Sequence, residues 1–144
     1  MSDQNYSNHT QFVTPFHKIL VPLLTLTFIG SIVNLVRSWG DHERIYSASL
    51  IVALTFCTLL LAFLSRIFAM RAQDRAIRAE ESLRYYVLTG QLPDSRLTLR
   101  QIIALRFACD GELPELARRA VAENLAADNI KRDIKQWRAD LYRV

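Results

Sequence analysis

Ile45–Ser65 reads IYSASLIVALTFCTLLLAFLS, and its 21 positions hold no Asp, Glu, Lys or Arg. Upstream, Ile19–Val36, ILVPLLTLTFIGSIVNLV, is a second charge-free run of 18 residues. At about 1.5 Å per residue these runs make helices of roughly 32 and 27 Å, matched to a hydrocarbon layer of about 30 Å. Charge-free runs of that length read as membrane-spanning helices rather than buried core helices. The whole-chain averages hide this. Over 144 residues, 51% hydrophobic and 22% charged would suit one soluble domain, but the charge is segregated outside the two runs.

Working outward, the first span is expected over 15–38. Thr14 is placed to cap it, and Pro15 suits a first helical position, where the missing N–H costs nothing. Lys18 can snorkel to the interface, and Pro22 is expected to kink the helix. Trp39 reads as an interfacial aromatic and Gly40 as the C-terminal cap. The second span is expected over 45–65. The link from Arg37 to Arg44 is short, so the two helices form an antiparallel hairpin. Residues 1–14 are a polar tail. That tail is not basic and no A-x-A-like site follows the first span, so an uncleaved anchor is expected rather than a signal peptide.

Orientation follows from Lys and Arg placement. Ahead of the first charge-free run there is one, Lys18, and the link has Arg37 and Arg44 offset by Asp41 and Glu43. Beyond the second span come Arg66, Arg71, Arg75, Arg78 and Arg84. Both termini are therefore expected in the cytoplasm. Arg66, Arg71, Arg75 and Arg78 sit where anionic headgroups would lie, each contributing about 1 kcal/mol at an anionic leaflet.

Residues 66–89 contain no Gly or Pro, so the second helix is expected to extend past the membrane. Thr55, Thr58, Ala62, Ser65, Ala69, Ala72, Ala76 and Ala79 recur at spacings of three and four, and Leu83 and Tyr86 continue the register. Such a seam lets another helix approach closely, whether from the same chain, a second copy or another subunit. Thr89–Gly90 ends the helix, and Gln91–Arg96 is a loop.

The last stretch, 97–144, is expected to be a small domain of about three short helices. Thr98 caps the first, from Leu99 to about Ala108, with Leu99, Ile102, Ile103 and Phe107 inward. Asp110 caps the second, with Pro114 in its first turn and Leu113, Leu116, Ala117, Ala120, Val121 and Leu125 inward. Asp128 caps the third, from Asn129 to about Tyr142, with the stripe Ile130, Ile134, Trp137 and Leu141. No segment alternates with period two. The expected class is an all-α membrane protein: a two-span helical hairpin, its second helix extended into the cytoplasm, then about three short cytoplasmic helices.

Chemistry-bearing motifs are sparse. His9, His17 and His42 lack the three- or four-residue spacing of a helix-face metal site. Cys57 and Cys109 have no C-x-x-C partner and read as small packing residues. P-loop, G-x-S-x-G, H-E-x-x-H and G-x-G-x-x-G patterns are absent. No catalytic, cofactor or metal site is expected, and the chain is not expected to be an enzyme. The net charge of +4 resides beyond Ser65, where 15 Lys+Arg meet 11 Asp+Glu. That is too dilute for the basic patch nucleic acid needs, so nucleic acid is not an expected partner. Lys131, Lys135, Trp137 and Arg138 are candidates for a protein-partner contact.

The segments Gln4–Thr10 (QNYSNHT), Arg66–Arg75 (RIFAMRAQDR), Leu105–Pro114 (LRFACDGELP) and Ile134–Asp140 (IKQWRAD) occur in that order along the chain. This order resembles a family of small bacterial two-span inner-membrane proteins catalogued only as a domain of unknown function. The resemblance implies a bacterial inner-membrane location and carries no activity, ligand or site residue. The expected role is an accessory or scaffold subunit of a larger membrane complex, with membrane lipids and other subunits, or itself, as partners. The alternative expectation is a self-associating anchor whose tail binds a soluble regulator.

Overall fold

The computed structural model describes residues 4–8 and 13–140. Among them are five helices and no strand. Helix α1 is Pro15–Arg37 and α2 is His42–Thr89. Then come α3 (Leu99–Leu105), α4 (Leu113–Ala122) and α5 (Ala127–Asp133). They fall into two compact units: 13–69, and 70–140 together with 4–8.

In the first unit, α1 and α2 are long and apolar enough to cross a membrane. Only 6% of the most apolar 18-residue window of each is buried. A core helix of a soluble protein would be mostly buried, whereas Leu26, Leu54 and Leu61 are open to the surroundings. The first turns of α1, Pro15–Leu20, are π-helical, and the Val21 N–H reaches back five residues to the Phe16 carbonyl. Pro22 explains this wide turn. It has no N–H, and its ring would crowd the Lys18 carbonyl four residues back in a regular α-helix. Thr14 is itself helical and its side chain makes no cap, so the expected cap is replaced by this wide start.

Hydroxyls in the apolar stretches bond their own helix. Thr25, Thr27 and Thr58 donate to the carbonyls four residues back at 2.8, 2.8 and 2.7 Å. Without water, that is how a polar group in hydrocarbon is satisfied. Between α1 and α2, the Ser31 and Thr55 hydroxyls meet at 3.1 Å, and the Phe28 and Phe56 rings lie 5.9 Å apart. Gly40 takes φ +95°, a left-handed turn that favours glycine. Asp41 then caps α2 by accepting from the Glu43 and Arg44 N–H groups at 3.1 and 3.2 Å. The cap sets the helix start at His42, three residues ahead of the expected apolar boundary.

In the second unit, α2 stops at Gly90, with φ +71°. Thr98 caps α3 as expected, within a reciprocal capping box with Gln101. The Gln101 amide is buried and fully used. Its oxygen accepts from the Thr98 N–H and hydroxyl, and its nitrogen donates to the Ala120 and Leu125 carbonyls at 3.2 and 2.9 Å. One side chain thus starts α3 and helps close α4. Asn124, at φ +48°, completes that closure, with Leu125 N bonding the Ala120 carbonyl and Asn124 N the Val121 carbonyl. The core gathers Ile102, Ala104, Leu105, Phe107, Leu113, Leu116, Ala117, Ala120, Ile130 and Ile134. Leu99 is exposed, and Ala104 and Leu105 take inward places instead.

Three local expectations are corrected. The Asp110 carboxylate does not cap α4, whose N-cap is Glu112 without a side-chain bond; Asp110 binds Arg84 instead. Asp128 does not cap α5, which starts behind Ala126. The last helix stops at Asp133 rather than continuing past Trp137. The Glu112 carboxylate takes the Lys135 and Gln136 N–H groups, both at 3.1 Å. Arg138 N then bonds the Phe107 carbonyl at 2.7 Å, and Cys109 N the Gln136 carbonyl at 3.1 Å. These bonds divert the donors and acceptor that another helical turn would need. They lay 134–138 beside the 107–109 turn as a single antiparallel bridge, Ala108 to Trp137. The expected end near Tyr142 lies outside the described residues.

Candidate functional site

The part of α2 within the second unit has two unlike faces. The face carrying Ile77, Glu81, Arg84 and Tyr85 is turned inward. Arg84 is its anchor. Its Nε donates to Asp110 at 2.7 Å, Nη1 to Glu81 at 2.9 Å, and Nη2 to the Ala108 carbonyl at 2.7 Å. The fork of the guanidinium thereby joins helix and turn in one geometry. Glu81 passes the network on to Arg138 at 3.3 Å. The side chains of Arg84 and Glu81 are only 12% and 10% exposed, so this pair is shielded from solvent and depends on its partners. Glu80, four residues before Arg84, stays exposed, and Glu81, three residues before it, takes the pairing. Beside the network, the guanidinium of buried Arg106 lies 4.7 Å from the Phe107 ring centre and 3.2 Å from Asp140.

The opposite face of α2 is bare. Ala72, Ala76, Ala79, Leu83, Tyr86 and Val87 are all exposed. The expected seam therefore divides. Thr55, Ala62 and Ala69 are half-buried, while Thr58 and Ser65 are exposed within the first unit. Ala72, Ala76 and Ala79 are not used by α3, α4 or α5, because the Glu81–Arg84 face holds that side. Arg66 is half-buried with its guanidinium 5.7 Å from the Phe16 ring centre. Arg71, Arg75 and Arg78 share a flank of the helix and are exposed.

The early end of α5 also redistributes the basic residues. Lys131 remains on α5, 5.9 Å from the Phe107 ring centre. Lys135, Trp137 and Arg138 lie beyond the helix. The Trp137 ring lies tilted against Phe107 with centres 5.1 Å apart and Arg138 reaches Glu81, so the four share no helix face.

The N-terminal tail holds contacts that sequence reasoning missed. The Tyr6 hydroxyl donates to Asp128 at 2.7 Å and accepts from Arg132 Nε and Nη2, both at 3.1 Å. Arg132 also stands over the Tyr6 ring, 5.2 Å from its centre. The Tyr6 hydroxyl first, and Asp128 with it, hold the Arg132 guanidinium above its ordinary pKa. The Gln4 side-chain oxygen accepts from Asp140 N at 2.7 Å. Asn5 folds the segment between them by accepting from the Ser7 N–H and hydroxyl. The local signal was the Asn-x-Ser turn chemistry. The docking itself spans over a hundred residues of chain and left no mark in local pattern. His9 lies outside the described residues. Cys57 is exposed in the first unit and Cys109 half-buried in the second.

These features define a class: an all-helical protein with two helices suited to crossing a bilayer and a small helical unit closed by buried ion pairs. The chain belongs to the Family of unknown function (DUF6526), whose pattern matches residues 1–144. No curated protein and no solved structure matches it.

Proposed function

We propose that this chain is a non-enzymatic integral protein of a bacterial inner membrane, acting as an accessory or scaffold subunit of a membrane assembly. The observation that carries the reading is the bare face of α2 over 72–87. A helix in a soluble unit normally hides its apolar stripe, and exposed apolar patches mark interaction surfaces. Here the charged face is turned inward and clamped, and Leu83, Tyr86 and Val87 are left outside. The polar interior supports the same reading, because Arg84 and Glu81 are committed to each other and to backbone rather than to a ligand cleft.

Location rests on length, composition and charge. The two apolar helices, followed by an arginine-rich flank, favour cytoplasmic termini. The docking of Gln4 and Tyr6 on 128–140 supports placing both termini on one side. Phosphatase fusions at Asp41 and after Asp140 test this: activity at Asp41 alone is expected, and the reverse would overturn the topology. Purification from membranes in mild detergent tests the role. Recovery in a particle larger than one protomer is expected, and a monodisperse single protomer at native abundance would overturn it.

A further inference from the structure

The bare face of α2 has a register that names its occupant. Leu83 and Tyr86 are its large anchors, 64% and 50% exposed, and Ala72, Ala76 and Ala79 continue the line toward the apolar segment. The spacing 72, 76, 79, 83, 86 alternates four and three, the a/d seam of a heptad. With 76 and 83 at a, and 72, 79 and 86 at d, the flanking g and e positions are 75, 82, 89 and 73, 80, 87. Among those six, only Arg75 and Glu80 are charged. They have opposite sign and lie five residues apart. That is the g-to-e′ spacing at which two parallel, in-register helices exchange ion pairs. Among the described residues neither takes part in an ion pair within the chain, and both are exposed.

From this juxtaposition we propose that the occupant is a second copy of the same chain, joined through 72–87 of α2 as a parallel two-fold pair. Arg75 of each protomer faces Glu80 of its partner, and Leu83 and Tyr86 meet their symmetry mates. In an antiparallel pair g positions flank g positions and e positions flank e positions, so Arg75 would not meet Glu80, and the opposite charges select the parallel arrangement. Two hairpins inserted with the same topology in one bilayer also present α2 in parallel. The small Ala72, Ala76 and Ala79 let the two backbones approach closely near the apolar segment, and the larger side chains close the distal end. The other charged groups, Arg71, Asp74, Arg78, Glu81 and Arg84, fall at b, c or f positions, outside the seam.

The inference rests on the assembly reading above and is tested apart from it. Full-length protein in native membranes, with Cys57→Ala and Cys109→Ala, receives a single cysteine at Ala79 or Leu83, with Arg78→Cys as the off-face control. Oxidation should give a disulfide-linked homodimer at 79 and 83 and little at 78. Arg75→Glu alone or Glu80→Arg alone should lower the cross-linked fraction by about fivefold, from two reversed pairs per dimer. The double variant Arg75→Glu with Glu80→Arg should restore it. Circular dichroism of each variant separates lost pairing from lost folding. Equal yields at 78 and 79, or no restoration in the folded double variant, overturn the parallel pair. Capture of a different chain at 79 and 83 by a bifunctional maleimide overturns the homodimer and leaves the assembly reading standing. Absence of cross-linking to any protein overturns both.

Discussion

The two halves of α2 handle polar groups in opposite ways. Over 45–65 the polar side chains are hydroxyls, and most bond the carbonyl of their own preceding turn, as Thr58 bonds Leu54. Over 77–85 the inward-facing Glu81 and Arg84 are ionic and bond other elements, as Arg84 bonds Asp110 and the Ala108 carbonyl and Glu81 bonds Arg138. The first arrangement makes each helix self-sufficient and leaves helix pairing to shape. The second makes the fold depend on a few charges that must find distant partners. Where the surroundings supply no water, independence of each helix is the safe solution. Where the core is small, buried ion pairs add a fixed geometry, though their net gain over apolar packing is modest.

Breaking one member on each side sharpens that comparison. Arg84→Ala should have the largest effect, because it leaves Glu81 shielded without its nearest cation and releases the Ala108 carbonyl. A loss of about 3 kcal/mol is expected for stranding one partner of a buried pair. Thermal unfolding in detergent, followed by proteolysis within 97–140, reads it. A change under about 0.5 kcal/mol would show that the network is dispensable and that apolar packing alone holds the tail.

Ser31→Ala should have a much smaller effect. Its hydroxyl both back-bonds to Phe28 and meets Thr55, so one contact between α1 and α2 is removed while Thr55 keeps its own carbonyl partners. Polar contacts between apolar helices average about 0.6 kcal/mol. Reversible unfolding in mixed micelles measures it. A loss as large as that for Arg84 would erase the distinction between the two halves.

What the sequence made legible follows the same divide. The charge-free runs announced α1 and α2 because one property, apolar composition, is repeated along the whole of each run. Thr98, Pro114 and Gly90 announced their boundaries because caps, first-turn prolines and left-handed glycines act locally. The end of α5 was illegible for the converse reason. Ile130, Ile134 and Trp137 have helical spacing, yet Glu112 and Phe107, more than twenty residues away in sequence, claim the backbone of 135–138. The Tyr6 docking was hidden likewise. The seam was legible as a register, but not its division, since only the fold shows that Glu81 and Arg84 rather than the alanines face the tail.

The smallest expected effect lies in the exposed loop that joins α2 to α3. Asp94 accepts from the Arg96 guanidinium at 2.7 Å and from the Arg96 backbone N–H at 2.9 Å. Those bonds, the guanidinium first, hold its carboxyl down to about 2 from an ordinary 3.8. A carboxylate depressed in the folded chain stabilises it fully above the unfolded value, and that contribution is lost as pH falls through the folded value. The loop should therefore loosen between about pH 4 and pH 2. Both groups are solvent-exposed, so the change should stay local, seen as faster amide exchange at 94–98 and a carboxyl titration near 2 by NMR. Asp94→Asn should abolish that titration and leave the Arg84 network intact. If instead the whole tail unfolded with Asp94, the weight assigned to buried over exposed ion pairs would be reversed.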